Sequence, residues 1–277
     1  MHGRTDELNS SSTSSSFKVP SADSKSVSTE LAEKLIQLAQ TYETADFLKK
    51  DPSQFMHRFS KVRDVEAVAF ISANLAFGRR DQILSHVEQI LTAAGSSPAE
   101  WILSQKYNDF FPENEVSFYR MYTNHDMRLF FDGLRGILEN SDTIGDFFKN
   151  RWEQDCSSRS QTQETAFLHQ IIASAFDPKC KLLPHSKDSA AKKVNMLLRW
   201  LVRLDSPVDL GLWTWFEPKN LLMPLDTHVM QQSNNLGLIS SKSANLRTAI
   251  ELTKKVAEVF PDDPVKADFA LFGLGVS

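Results

Sequence analysis

The thirteen residues from Val65 to Phe77 are apolar on almost every side, because Ala67, Val68, Ala69, Phe70, Ile71, Leu75 and Ala76 leave no continuous polar stripe. A helix of this kind has no face to give to water, so the remaining chain must supply a shell of elements around it. Asp64 stands where a cap would receive the first turn, and Gly78 stops the helix. A chain of 277 residues is long enough to build such a core without metals or disulfides.

Glycine is scarce, 10 residues in all. That argues against Gly-rich nucleotide loops and against turn-rich all-β folds, and favours an all-α fold. A formal charge of −4 with 41% hydrophobic residues is ordinary for a globular protein. Cys156 and Cys180 are too few for a disulfide framework, a four-cysteine zinc site or a cysteine-held iron–sulfur cluster. We therefore expect a reducing, cytoplasmic setting, no metal and no cofactor. No apolar run reaches 18 residues, and Asp6 and Glu7 stand where a signal peptide would begin its apolar core, so neither secretion nor a membrane partner is expected.

Ten of the residues from Ser10 to Ser28 are serine. Such a stretch buries too little surface to offset its ordering entropy, and residues 1–28 read as a disordered tail. Residues 29–277 read as one helical domain, beginning with Leu31, Leu35, Leu38 and Ala39 on one face and interrupted at Asp51-Pro52. After Gly78 come Arg79-Arg80-Asp81 and a helix marked by Ile83, Val87, Ile90 and Leu91 that runs to Gly95. Residues 97–177 read as short helices rich in Phe and Tyr, broken near Phe111-Pro112 and again by the polar stretch Cys156 to Gln163. The last group is a helix from about Ser189 to Arg203, a connection containing Pro and Trp, a short helix after Asp226, a helix from Leu246 to Phe260, and a turn opened by Asp263-Pro264 and closed by Gly273.

The chemistry concentrates in that last group. On a helical wheel Val194, Leu197, Leu198 and Leu201 cluster on one side, while Lys192, Asn195, Arg199 and Arg203 form the opposite stripe. From Pro178 to Arg203 there are seven Lys or Arg against one acid, Asp188. This suits a phosphate backbone, while the plainer reading is the solvated face of an amphipathic helix. Lys192 lies in the first turn, beside the positive end of the helix dipole, and is read as a candidate nucleophilic amine. Lys193 points about 100° away from the stripe, which makes Lys192 the preferred amine. Asp226, in Leu225-Asp226-Thr227-His228-Val229, is placed to cap the next helix.

Lys192-Lys193-Val194-Asn195-Met196-Leu197-Leu198 followed by Leu225-Asp226-Thr227-His228-Val229 resembles the catalytic core of the helix-hairpin-helix-GPD DNA glycosylases of the endonuclease III type. Ile71-Ser72-Ala73-Asn74 resembles the helix end from which these enzymes direct an amide into the space left by an extruded base. Lys193 to Trp200, Val208 to Trp213, Pro224 to Val229 and Pro264 to Gly275 together resemble an uncharacterised bacterial family. It is known only as a domain of unknown function and is related to these glycosylases.

The resemblance implies a two-lobed helix-hairpin-helix glycosylase-like fold and a role in base-excision repair. The partner would be double-stranded DNA carrying a damaged base, by analogy an oxidised purine, and the protein would act as a monomer. Lys192 would be the nucleophile and Asp226 its acidic partner, with β-lyase activity through a Schiff base. Lys187, Ser189, Asn195, Arg199, Asn74, Arg79, Arg80 and His228 would contact DNA. Two features depart from the pattern. The hairpin stretch Leu183-Pro184-His185-Ser186-Lys187-Asp188-Ser189 lacks the two glycines that let backbone N–H groups approach a phosphate. The segment between Lys192 and Asp226 is longer than in endonuclease III and carries Trp213, Trp215 and Phe216, which read as core or as stacking surfaces. The alternative is a catalytically inactive nucleic-acid-binding protein on the same scaffold, and a third reading is a helical interaction module.

Overall fold

The computed structural model describes residues 26–158 and 167–276. In chain order the helices are α1 (Thr29–Tyr42), α2 (Ala45–Leu48), α3 (Val62–Leu75), α4 (Arg80–Ala94), α5 (Pro98–Leu103) and α6 (Tyr107–Phe110). A small antiparallel hairpin, β1 (Ser117–Tyr119) and β2 (Tyr122–Thr123), leads into α7 (Asn124–Glu139), α8 (Ile144–Ser158) and α9 (Leu168–Ser174). Then come α10 (Lys192–Val202), α11 (Thr227–Asn235), α12 (Leu246–Ala257) and α13 (Ala267–Val276). Short 3-10 turns lie at Pro52–Arg58, Pro218–Asn220 and Pro264–Lys266. The fold is mostly helical. Sequence periodicity misses the hairpin because its strands are three and two residues long.

The apolar run forms the buried centre: every residue of α3 from Asp64 to Leu75 is buried, and α4, α5, α8, α10 and the 52–58 turn pack around it. Asp64 does not cap α3, which starts at Val62 with Lys61 in the cap position. Its Oδ1 instead accepts from the Ala99 N–H at 2.9 Å, in the first turn of α5. Glu66 does the same for α8. It accepts from the N–H groups of Ile144 and Gly145 at 2.8 and 3.0 Å and from Trp213 Nε1 at 2.8 Å. Burial pushes the Glu66 carboxyl up to about 7, opposed by those three donors. The two carboxylates that this helix buries thus satisfy the starts of other helices.

Three further expectations change. The tail was read as ending at residue 28, yet Val27 N–H donates to Glu258 at 2.7 Å and Ser28 caps α1, so order begins before Thr29. Residues 1–25 and 159–166, the latter within the polar stretch after Cys156, lie outside the described residues. The helix predicted from Ser189 starts three residues later, because Ala191 adopts a left-handed φ of 45° and Ser189 bridges to Asn245. Gly273 does not close a turn but lies inside α13. A Cβ there would sit 2.2 Å from Tyr42 Cγ, so its role is close approach of α13 to α1. Among the described residues, no helix is long and apolar enough to cross a membrane.

Candidate functional site

The α3–α4 turn, the start of α10, the start of α11 and one face of α13 surround a cavity of about 1130 Å³. Lys192 and Asp226 both line it. Each stands at a helix start, Lys192 as the first residue of α10 and Asp226 as the cap of α11, where its Oδ1 accepts from the Val229 N–H at 2.8 Å. Helix N-termini on two separate segments therefore converge on one space, and their dipoles favour negative charge there.

The two neighbouring lysines differ in their surroundings. Lys193 Nζ donates to the carbonyl oxygens of Leu182 and Asn74 at 2.6 and 3.0 Å and lies 2.8 Å from the Tyr122 hydroxyl. Burial pushes its ammonium down to about 7, helped by the charge of Lys192. Its nitrogen is held on three sides and ties the end of α3, the loop before α10 and β2 together. Lys192 Nζ makes one long contact, 3.4 Å to the Ala76 carbonyl, and among the described residues it has no ion pair. Of these two neighbouring amines, Lys192 is the less committed.

The inner wall is ionic. Arg199 pairs with Asp268, and its Nε lies 3.3 Å from Asp209. Arg203 pairs with Asp209 and, at 2.8 Å each, with Glu43 and Asp263. The stripe read as outward-facing is therefore internal: Arg199 is 3% exposed, Arg203 2% and Asn195 2%. Asn195 Nδ2 donates to the Ala190 carbonyl. Burial opposes the Arg199 charge, but Asp209 and Asp268 outweigh it and hold the group above its ordinary range. Burial pushes Asp268 up to about 6 against the pull of Arg199, with nearby Asp226 adding to the rise and Lys192 reducing it. Asp268 thus senses both members of the nominated pair.

The other nominated residues scatter. Asn74 is fully buried, with Nδ2 donating to the Phe70 carbonyl and Oδ1 unpartnered, and cannot reach a ligand from there. Arg80 lines the cavity with its guanidinium 5.2 Å over the Phe272 ring, whereas Arg79 is exposed and pairs with Asp81 at 2.8 Å. Ser189 lines the cavity, with Oγ accepting from the Ala191 N–H. Lys187 is exposed outside the cavity lining, and His228 is exposed on its rim beside Phe272. Trp213 is core, holding Glu66. Sequence reasoning missed Asp268, Phe272, Tyr122 and Lys242, all of which line the cavity. Only Asp268 and Phe272 had a signal, lying four residues apart and hence on one face of the last helix.

Residues 51–277 match a family model described as a protein of unknown function, DUF2400. No curated protein and no solved structure matches the chain.

Proposed function

Since the chain belongs to the DUF2400 family of proteins of unknown function, we propose an activity from the site itself: a base-excision DNA glycosylase with β-lyase activity, built on a two-lobed helix-hairpin-helix scaffold. The observation that carries this reading is the meeting of Lys192 and Asp226 at one cavity from two separate helix starts. The cavity exceeds the usual small-molecule range and has room for an everted nucleotide. Arg80 and Lys242 line it without an acidic partner among the described residues, which suits a phosphate-bearing substrate.

In this reading the Lys192 amine attacks the anomeric carbon of the everted nucleotide. The glycosidic bond breaks, and the damaged base departs with the electron pair and takes up a proton. Asp226 stabilises the positive charge that develops on the sugar. Sugar opening gives a Schiff base. Loss of a C2′ proton then expels the 3′ phosphate and leaves a nicked strand. An oxidised purine is the substrate class suggested by the glycosylase resemblance.

Borohydride reduction during incubation with duplexes containing an abasic site or 8-oxoguanine tests this. The wild-type chain is expected to become covalently attached, and Lys192→Ala to lose the adduct. An undiminished adduct in Lys192→Ala removes the nominated nucleophile. Binding to these duplexes without any adduct in wild type favours the alternative, a nucleic-acid-binding protein without turnover.

A further inference from the structure

Lys193 and Tyr122 both line the cavity, and the Lys193 Nζ lies 2.8 Å from the Tyr122 phenol oxygen. The same nitrogen donates to the carbonyl oxygens of Leu182 and Asn74 at 2.6 and 3.0 Å. An ammonium group has three N–H donors and cannot accept. With Lys193 charged, all three donors are used, and the Tyr122 oxygen is the acceptor of the third. The Tyr122 O–H is then left over. Among the described residues nothing accepts it, although Tyr122 is only 5% exposed in the cavity wall. A buried donor without an acceptor in its own chain is available to whatever the cavity receives.

Removing one proton from Lys193 breaks none of these contacts. The neutral amine keeps two N–H groups for the same two carbonyls, and its lone pair accepts the Tyr122 O–H. Both states are saturated, so the pair exchanges a proton without moving a side chain. Burial pushes the Lys193 ammonium down to about 7, where the two states coexist at neutral pH. Burial also pushes the Tyr122 phenol up to about 12, so the hydroxyl passes a proton on only as it receives another. Because the Lys193 donors are all occupied, its proton reaches the cavity only through Tyr122.

We propose that Tyr122 and Lys193 form a proton relay to the departing base, with Tyr122 as the catalytic donor and Lys193 as the residue that recharges it. This rests on the reading of the cavity as a glycosylase site. As the bond from C1′ to the base nitrogen breaks, its electron pair stays on the base. The Tyr122 O–H proton passes to the base, a Lys193 N–H proton passes to the Tyr122 oxygen, and Lys193 is left as a neutral amine. Water returns a proton to Lys193 once the base has gone. Lys192 and Asp226 act on the sugar, and the relay leaves their roles unchanged.

A preformed abasic site has no base to protonate, which separates the relay from the nucleophile. Full-length wild type and Tyr122→Phe are each given an 8-oxoguanine duplex, scored for free base in a single turnover, and an abasic duplex of the same sequence, scored for borohydride adduct. Tyr122→Phe is expected to release base about 100-fold more slowly, the scale of a lost general acid, and to form the abasic adduct within about twofold of wild type. That adduct also shows that the variant is folded.

The pH profile supplies a second readout. The ratio of wild-type to Tyr122→Phe base release is expected to shrink as pH rises from about 7 to about 9 and Lys193 loses its proton. Cys180 faces both members of the pair, Lys192 faces Lys193, and Asp126, Tyr119 and Arg120 surround Tyr122; common to both proteins, they cancel in the ratio. Base release at the wild-type rate in Tyr122→Phe overturns the relay even where Lys192 still traps. Equal losses of release and trapping overturn it too, because they mark Tyr122 as structural, and so does a wild type that traps the abasic duplex but releases no 8-oxoguanine. A ratio independent of pH removes Lys193 from the relay. Neither adduct nor base release in wild type removes the glycosylase reading itself, and the relay with it.

Discussion

The Arg199 guanidinium pairs with the carboxylate of Asp268, 69 positions further along the chain, and both groups are buried in the inner wall of the cavity. Arg199 also serves Asp209, which it shares with Arg203. Arg199→Met keeps much of the side-chain length but leaves two buried carboxylates short of a partner. The expected loss is about 3–5 kcal/mol in urea unfolding at pH 7. Asp268 carries a folded pKa of about 6 against 3.8 for the free group, so the native state holds its proton more tightly. Its contribution is greatest in acid and declines as pH rises from about 4 to 6. Without Arg199 that decline is expected to extend to higher pH, and a variant within about 1 kcal/mol of wild type would show that the pair stabilises little.

Local signals made much of this fold legible in the sequence. The burial of α3 followed from its lack of a polar face, Asp226 caps α11 as its position indicates, and Gly95 ends α4 at φ 68°. Long-range pairing was not legible. The polar side of α10 looked solvent-facing because the acids that neutralise it, Glu43, Asp209, Asp263 and Asp268, belong to remote segments. Asp64 and Glu66 carried no local indication that they cap helices 35 and 79 residues away. The start of α10 was misplaced because Ser189-Ala190-Ala191 has ordinary helix propensity, and only its contact with Asn245 shows why it is not helical. At the site, Lys192 and Asp226, which motif order singles out, both line the cavity, whereas Tyr122 and Lys242 have no sequence pattern linking them to it.

Lys193 should make stability depend on pH. Its folded pKa of about 7 lies below the 10.5 of a free lysine, so between those values the unfolded chain binds the extra proton. Wild-type stability is therefore expected to gain from this group as pH rises from 7 toward 10. Cys180, Lys192 and Tyr122 are the titratable neighbours whose own behaviour a comparison must hold fixed. Lys193→Met removes the proton site and leaves the Asn74 and Leu182 carbonyls without their donor, so it is less stable throughout. The discriminating quantity is the gap between wild type and variant in urea midpoints at pH 7 and pH 9.5. That gap should widen at the higher pH; a constant gap would mean that Lys193 keeps an ordinary affinity for its proton.

Close contact between α1 and α13 depends on Gly273. Gly273→Ala places a methyl group against the Tyr42 ring and is expected to cost about 1–3 kcal/mol through overpacking, despite alanine's better helix propensity. In a Tyr42→Ala background the ring is gone, and the same substitution should be neutral or stabilising. A double-mutant cycle by thermal or urea unfolding measures that coupling. Equal costs in the two backgrounds would refute the contact as the reason for glycine at this position.

Asp226 has two separable roles, and substitution can divide them. As a cap it accepts the Val229 N–H, which asparagine does about equally well, so Asp226→Asn should leave stability within about 0.5 kcal/mol of wild type. Alanine lacks the acceptor and should cost about 1 kcal/mol. The proposed chemistry needs the negative charge, which both variants lack. Base release and borohydride trapping should therefore fall about 100-fold or more in Asp226→Asn as in Asp226→Ala. Matching activity losses with unequal stability losses would separate charge from capping. Wild-type trapping by Asp226→Asn would instead leave Asp226 as a helix cap and direct the search for the acidic partner to Asp268, the other carboxylate that senses Lys192.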